Sequence, residues 1–252
     1  MQPDEYRRMA ALEDALWWYH GLRGLVLALL ARRGPVDRFR LLDAGCGTGG
    51  MLRRLAARFP AAELHGVDVA ASAVEYARQG TAAAIRRGSV MALPYEDAGF
   101  DVIVSLDVLA VDQVDPAQAL AEFHRCLKPG GLLLLNLTAY PWLLSYHDRA
   151  VGQSRRFTRP QVTRLLEAGG FRCLQTSYWN TLLFPIMVLR RKVWPGGADG
   201  ASDVQALAAP VNAVFTACVA LERRLVGAGV CLPFGGSVIA VAVRPLPAGS
   251  SR

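Results

Sequence analysis

The residues best suited to chemistry lie in one short stretch, 41–50, which reads Leu-Leu-Asp-Ala-Gly-Cys-Gly-Thr-Gly-Gly. This order predicts the end of a strand, a tight turn and the start of a helix. Glycine suits such a turn because it adopts backbone angles that a Cβ atom forbids and lets a ligand approach the backbone closely. The free N–H groups at the start of the following helix then face that ligand. The stretch therefore predicts a site for a nucleotide-type ligand.

The spacing of these glycines leaves the kind of nucleotide open. One reading matches G-x-G-x-x-G, the dinucleotide pattern, with Asp68 at about the expected 20 residues further on as a ribose-binding acid. A second reading starts at Asp43 and gives D-x-G-x-G-x-G over residues 43–49. A carboxylate at the strand end repels a pyrophosphate and attracts the cationic end of an amino acid. Asp43 therefore favours a ligand that carries an amino-acid group.

The hydrophobic pattern around the turn predicts an α/β sheet that would position these residues. Strands are predicted at the run ending at 42 and at 63–68, 83–87, 100–105, 132–137, 171–178 and 237–243, and helices at 5–33, 51–59, 72–79, 116–127, 159–168 and 211–226. The continuous apolar run at 100–105 is typical of a strand buried on both faces, as in a parallel sheet. Alternating strands and helices indicate a doubly wound sheet.

The composition narrows the possible classes of function but does not identify one. The chain has 252 residues, 52% of them apolar and 19% charged, which suits one α/β domain with insertions or a small appendage. The net charge is +7, carried almost entirely by arginines that occur in scattered pairs. Dispersed pairs indicate a generally basic surface rather than a nucleic-acid-binding stripe. We therefore expect no nucleic-acid partner.

The five cysteines are widely spaced and form no C-x-x-C pair. This pattern predicts reduced thiols, a cytoplasmic location and no bound metal. The stretch 204–221 is uncharged and touches the lower length limit for a membrane-spanning helix. It contains Gln205, Pro210 and Asn212, so we expect a buried or interfacial helix instead of a span.

The glycine turn is the first of four motifs in a fixed order. They are Leu42-Asp43-Ala44-Gly45-Cys46-Gly47-Thr48-Gly49, then Gly66-Val67-Asp68, then Leu93-Pro94-Tyr95-Glu96 with Phe100-Asp101-Val102-Ile103, and then Leu127-Lys128-Pro129-Gly130-Gly131. Together they resemble the class I S-adenosylmethionine-dependent methyltransferases, in a type 11/12-like bacterial subgroup, over roughly residues 36–178. The resemblance implies a Rossmann-like, seven-stranded, mostly parallel sheet with helices on both faces. The alternatives are an NAD-dependent oxidoreductase and a non-catalytic methyltransferase-fold scaffold at a membrane surface.

The resemblance also implies a set of residues around the cofactor S-adenosyl-L-methionine, whose product is S-adenosyl-L-homocysteine. The expected cofactor-binding residues are Asp43, Gly45, Cys46, Gly47, Thr48, Gly49, Asp68, Val69, Ser89, Val90, Met91, Leu106 and Asp107. Among them, Asp43 would orient the methionine ammonium and Asp68 would hold the ribose. Ser89 departs from the commonest pattern, which has an acid there, and its hydroxyl would bind the adenine amino group more weakly.

Methyl transfer from a sulfonium ion needs an aligned nucleophile, whereas a catalytic base is optional. The candidate catalytic residues are His147, His20 and Asp107. The candidate substrate-contacting residues are Tyr19, Arg23, Tyr140, His147, Arg155 and Arg156. The paired arginines belong either to a solvated basic loop or to a site for a carboxylate or phosphate. We expect a small or lipid-like acceptor that is methylated at oxygen.

Four segments are predicted from these patterns: a helical lid at 1–35, the cofactor-binding core at 36–178, an insertion that caps the substrate at 179–235, and the last strand with the tail at 236–252. The aromatic block Trp17-Trp18-Tyr19-His20 either packs on the core or covers the cofactor. In the insertion, the apolar run 182–189 ends in three consecutive cations. That combination suits either a cap over an apolar substrate or attachment to an anionic membrane. The expected location is the cytoplasm, with peripheral contact to the inner membrane surface as an option.

Overall fold

The computed structural model describes residues 16–145, 148–149, 151–192 and 208–247. The helices that it defines are α1 (Trp17–Arg33), α2 (Gly50–Arg58), α3 (Ala71–Gly80), α4 (Pro116–Cys126), α5 (Arg159–Ala168), α6 (Phe184–Lys192) and α7 (Ala209–Gly227). The strands are β1 (Arg40–Ala44), β2 (Glu63–Asp68), β3 (Ala84–Arg87), β4 (Phe100–Leu106), β5 (Leu127–Thr138), β6 (Arg172–Trp179) and β7 (Ser237–Val243). A short 3₁₀ turn, Pro141–Leu143, follows β5.

Within the described residues, these strands form one seven-stranded sheet in the order β3-β2-β1-β4-β5-β7-β6. β7 runs antiparallel to both of its neighbours, and the remaining pairs are parallel. The predicted mostly parallel, Rossmann-like α/β sheet is therefore confirmed. Because β1 pairs with both β2 and β4, the strand order reverses at β1. Ligands of such sheets bind in the crevice at the carboxyl ends of the strands beside this reversal.

Successive residues of the central strands point to opposite faces of the sheet and build two apolar layers. Leu41 and Leu134 belong to a cluster with α1, α2 and α7, whereas Leu42 and Leu133 belong to a cluster with α4 and α5. All four side chains are completely buried. Apolar runs with no polar alternation are what a sheet covered on both faces requires.

Both ends of α4 have a local structural cause. Asp115 caps α4, since its Oδ1 accepts a hydrogen bond from the Ala117 N–H at 2.8 Å. The strand β5 is longer than predicted and starts at Leu127, because Leu127 pairs with Phe100 before the ladder shifts register. The helix predicted at 116–127 accordingly ends at Cys126.

The N-terminal helix and the insertion helix pack directly on one another. The indole of Trp17 meets the ring of Phe215 edge-on at 5.5 Å, and the Trp17 backbone N–H donates to Asn212 Oδ1 at 3.2 Å. A Cβ atom at Gly21 would lie 3.0 Å from the Cβ of Val219, so α1 and α7 approach as closely as a glycine permits. α1 and α7 thus form one helical layer over the sheet.

Parts of these predictions fall outside the described residues. Residues 5–15 of the helix predicted at 5–33 are among them, and so are residues 193–207 of the predicted insertion. The division into lid, core, insertion and tail stays a prediction. Among the helices that the structure describes, none combines the length and the apolar character needed to cross a membrane.

Candidate cofactor and acceptor site

The glycine turn after β1 has the backbone that the sequence predicts. Gly45, Gly47 and Gly49 have φ values of 87°, 52° and 84°, in the left-handed region that favours glycine. The Gly45 N–H donates to the Val67 carbonyl at 2.8 Å, which fastens the turn to β2. A Cβ atom at Gly45 would overlap the side chain of Val108. The turn is therefore a tight cradle that a larger residue would fill.

Asp68 joins the end of β2 to this cradle. Its Oδ2 accepts from the Gly47 N–H and its Oδ1 accepts from the Ala70 N–H, both at 2.9 Å. Burial raises the pKa of the Asp68 carboxyl, while these backbone hydrogen bonds lower it. Each carboxylate oxygen has two lone pairs, so the fixed carboxylate keeps acceptor capacity for a pair of ligand hydroxyls.

Asp43 is the second acid of the site and is 2% exposed at the end of β1. Burial raises the pKa of the Asp43 carboxyl to about 7, and repulsion from Asp68 adds to the rise. The charge of Arg23 partly offsets both effects. Two carboxylates crowded in this way favour a cationic ligand and disfavour a diphosphate.

Arg23 reaches this acid from α1. It is buried, and its guanidinium carbon lies 5.2 Å from the centre of the Tyr19 ring. The sequence suggested both residues as substrate contacts, whereas the structure places Arg23 close enough to influence Asp43 in the predicted cofactor site. Neither the spacing nor the residue types of α1 predicted that neighbour, because the two residues lie on separate elements.

The remaining predicted cofactor residues line the same edge of the sheet. The Ser89 hydroxyl accepts a hydrogen bond from the Met91 N–H at 3.1 Å, and Val90 is buried. Val69, directly after the ribose-binding acid, is 64% exposed and so presents an apolar side chain at the surface. The other members of the predicted set are Cys46, Thr48 and Leu106, of which the first two are buried. Contact of these residues with a cofactor stays a prediction.

Asp107 follows β4 with an unusual backbone, since its φ is 62°. Its two carboxylate oxygens accept hydrogen bonds from Asn136 Nδ2 at 3.0 and 3.1 Å. Burial raises the pKa of this carboxyl to about 7, while the Asn136 hydrogen bonds and the charge of Arg156 lower it. A half-buried carboxyl with a pKa near neutrality is suited to act as a general base.

Asn136 is a site residue that sequence reasoning missed. It is fully buried in β5, and its Oδ1 accepts a hydrogen bond from the Trp179 indole N–H at 2.7 Å. A signal was present, because one amide interrupts the apolar run from Leu132 to Leu137. The sequence did not indicate Trp179 as its partner, because the hydrogen bond joins two strands that are far apart along the chain.

The loop after β5 is held together by a buried ion pair. Arg156 donates to Asp148 Oδ1 from Nη2 at 2.6 Å and from Nε at 3.1 Å. Its Nη1 donates to the Ala139 carbonyl at 2.8 Å. Ser145 completes the arrangement by donating its N–H and hydroxyl to Asp148 Oδ2 at 2.7 and 2.9 Å. Arg156 therefore positions the loop.

Arg155 is also engaged inside the protein. Its Nη1 donates to the carbonyls of Val111 and Val114 at 2.8 and 2.9 Å, which ties the loop after β5 to the loop after β4. A role for the two arginines in recognising an anionic substrate stays a prediction, and the observed hydrogen bonds give them a structural role that the sequence did not indicate.

Of the two candidate catalytic histidines, the structure describes His20. His147 lies outside the described residues. His20 is half-buried on α1, within the aromatic block. Its catalytic role, like that of His147, stays a prediction. Within the described residues no group of three or more histidine, cysteine or acidic side chains could hold a metal ion.

An aromatic wall, defined by Tyr140, Trp142, Tyr178, Phe184 and Phe234, lies at the carboxyl ends of β5 and β6. The Tyr140 ring stacks on Tyr178 with centroids 5.2 Å apart and lies 5.4 Å from Phe184. Trp142 and Phe234 extend the wall and are 50% and 42% exposed. This surface suits an apolar chain or ring.

Comparison with known proteins adds independent information. A methyltransferase domain model matches residues 41–131. A malonyl-[acyl-carrier protein] O-methyltransferase from Geobacter sulfurreducens is 32% identical over 199 residues, which cover 71% of this chain and 73% of that protein. An uncharacterized 37.1 kDa protein in transposon TN4556 of Streptomyces fradiae is 35% identical over 175 residues, 66% of this chain. The chain spans only 48% of the length of that second protein.

Among solved structures, the chain is similar to the complex between the Haloferax volcanii Trm112 methyltransferase activator and the putative methyltransferase. The TM-score is 0.63 at 22% identity, and the match covers 94% of each chain. At that identity the likeness establishes the fold.

Proposed function

The chain belongs to the class I S-adenosylmethionine-dependent methyltransferases, and from that premise we propose that it methylates an oxygen atom of a small or lipid-like apolar acceptor. The observation that carries the cofactor part of the proposal is the pair of buried carboxylates, Asp43 and Asp68, crowded at a left-handed glycine turn beside a buried arginine. That combination recognises an amino-acid group and a sugar diol together.

The residues present fit S-adenosyl-L-methionine. Asp43 would pair with the methionine ammonium, and Arg23 would pair with the methionine carboxylate. Asp68 would accept hydrogen bonds from the ribose hydroxyls, since its oxygens are already fixed by backbone N–H groups. The diphosphate of NAD would meet two carboxylates at the turn, which opposes its binding.

The bound cofactor would supply a methyl group on a positively charged sulfur. The residues of this chain would then align the acceptor and take up its proton. Asp107 is the described residue best placed for that proton, because it lies at the carboxyl end of β4 with a pKa near neutrality. General-base assistance of this kind contributes roughly 10²- to 10⁴-fold to a rate. His20 and His147 remain candidates beside it.

Two observations support an apolar oxygen acceptor. The aromatic wall offers stacked and partly exposed rings at the same edge of the sheet as Asp107. The Geobacter relative is by name a malonyl-[acyl-carrier protein] O-methyltransferase, which supports methylation at oxygen. An acceptor with an apolar body and an oxygen nucleophile satisfies both observations.

The proposal can be tested with S-adenosylmethionine that carries a radioactive methyl group. The enzyme is incubated with this donor and a heat-treated cell lysate, and the products are partitioned into organic solvent. We expect label in the organic phase, attached through oxygen as an ester that mild base hydrolyses or as a base-stable ether. Label on nitrogen or carbon, or label confined to protein or nucleic acid, would overturn the proposed acceptor. Thermal stabilisation by NADH without stabilisation by S-adenosylhomocysteine would overturn the cofactor.

A further inference from the structure

A buried amide inside an apolar strand needs an explanation, because an isolated polar group in such a place is unfavourable. Asn136 is 0% exposed in β5, with leucines on both sides. We propose that Asn136 and Trp179 are positioning residues, which hold the Asp107 carboxylate in one orientation toward the methyl acceptor. This inference rests on the proposed function, in which Asp107 takes the acceptor's proton.

The orientation of the amide follows from the chemistry of its neighbours. The indole N–H of Trp179 can only donate, so the atom of Asn136 that faces it at 2.7 Å must be the oxygen. The NH₂ group then faces Asp107 and donates to both carboxylate oxygens. An ionised carboxylate can only accept, so the three residues fit in one arrangement alone. Trp179 therefore fixes the amide, and the amide fixes the acid.

The backbone around Asp107 is held as firmly as its side chain. The Asp107 N–H donates to the Asn136 carbonyl at 2.8 Å. Gln153 Nε2 approaches the Asp107 carbonyl at 3.4 Å. The φ of 62° is a conformation that residues other than glycine adopt rarely and that surrounding contacts must stabilise. Strained backbone with fixed partners on both sides is common where a side chain has to be aimed.

Asn136 acts on the acid together with two charged groups. Arg156 lowers the pKa of Asp107 through its positive charge, and Asp148 raises it, although the two belong to one ion pair. Asn136 donates directly to the carboxylate and favours its charged form. Rotation of the amide would replace two donors with an oxygen and would disfavour that form.

The test is the pKa of the Asp107 carboxyl, measured by carbon NMR on protein labelled at the aspartate side-chain carboxyl and assigned with Asp107→Asn. Trp179→Phe keeps an aromatic ring and removes the N–H that fixes the amide. We expect it to raise the pKa of Asp107 by about one unit, a tenfold change in the ratio of protonated to ionised acid. An unchanged pKa would overturn the inference.

The matched control is Trp18→Phe. Trp18 packs against Trp179 with ring centroids 6.1 Å apart, so this variant loses an indole from the same cluster and leaves the bond to Asn136 in place. We expect the pKa of Asp107 to stay at its wild-type value. A rise equal to that of Trp179→Phe would mean that loosened packing moves the acid, and it would overturn the role of the N–H group.

A second variant keeps the inference testable if Trp179→Phe does not fold. Asn136→Asp preserves the size of the side chain and the acceptor for Trp179, but it sets carboxylate against carboxylate. We expect one apparent pKa of the pair to rise well above that of wild-type Asp107. Two acids that both titrate at ordinary aspartate values would contradict the geometry.

These measurements do not require an acceptor. If wild-type protein fails to bind S-adenosylhomocysteine, the proposed function fails while the comparison of pKa values still stands. If the cofactor binds and the pKa values do not differ, the positioning role fails alone. In the labelled-methyl assay, the acid limb of the pH–rate profile should shift to higher pH in Trp179→Phe. It should remain at its wild-type pH in Trp18→Phe.

Discussion

Asp148 and Arg156 form a buried ion pair whose closest nitrogen–oxygen distance is 2.6 Å. Both side chains are almost completely removed from solvent, at 1% and 2% exposure. The pair joins two segments of the loop that follows β5, one containing Asp148 and the other containing Arg156. The described part of the loop that the sequence identifies as a substrate region is thus anchored by an internal ion pair.

Removal of one partner of this pair should be costly. Arg156→Met leaves Asp148 buried without its cation, and we expect a loss of about 3–5 kcal/mol in the free energy of unfolding. Urea denaturation at about pH 7.5 measures the change. This pH is about four units above the ordinary pKa of aspartate, so an aspartate with an ordinary pKa is ionised. Arg149→Met is the control, because Arg149 is an exposed arginine in the same loop. A loss below about 1 kcal/mol, the range of exposed ion pairs, would show that the pair does not hold the loop.

The raised pKa of Asp43 predicts how cofactor affinity depends on pH. Asp43 must be ionised to pair with an ammonium group, and its pKa in the free protein is about 7. We expect S-adenosylhomocysteine to bind about tenfold more weakly at pH 6 than at pH 8, since protonated Asp43 dominates at the lower value. Calorimetry at both pH values measures this ratio. Asp43→Asn should bind weakly at both and show no such ratio.

The same shift predicts an effect on stability with a definite sign. The folded-state pKa of Asp43 lies above its ordinary value of 3.8, so the folded protein retains this proton to higher pH than the unfolded chain does. The contribution of the Asp43 carboxyl to the free energy of unfolding is therefore most favourable below about pH 4, and it is lost as the pH rises through about 7. Asp43→Asn should raise the melting temperature at pH 8 relative to wild type. A lower melting temperature in that variant at pH 8 would contradict the assignment.

The close approach of α1 and α7 predicts opposite results for two similar substitutions. A Cβ atom at Gly21 meets the branched side chain of Val219, whereas a Cβ atom at Gly24 meets Nη1 and Cδ of the flexible Arg223 side chain, which can move aside. Glycine to alanine in a helix otherwise gains about 1 kcal/mol. We expect Gly24→Ala to stabilise the protein and Gly21→Ala to destabilise it. Val219→Ala removes the Cγ2 atom that the new Cβ meets, so it should cost less stability in the Gly21→Ala background than in wild type, as a double-mutant cycle would show.

The sequence predicted the sheet because each central strand is a short, uninterrupted apolar run between turn signals. It predicted Asp43 and Asp68 because both acids lie at fixed distances from a dense glycine turn. The electrostatic influence of Arg23 on Asp43 depends on how α1 packs on the sheet, and hydrophobic periodicity does not determine that packing. The bond between Asn136 and Trp179 depends on the pairing of β6 with the last strand. Residues that act through side-chain contacts between distant parts of the chain therefore cannot be identified from the sequence alone.

The central claim is that Asp68 holds the ribose of S-adenosylmethionine at the glycine turn, and calorimetric titration with S-adenosylhomocysteine tests it most directly. Asp68→Ala removes the carboxylate, and Asp37→Ala removes an exposed acid elsewhere as the control. We predict micromolar binding by wild type and by Asp37→Ala, and no measurable binding by Asp68→Ala that retains its near-ultraviolet circular dichroism. Undiminished binding by Asp68→Ala would contradict the account.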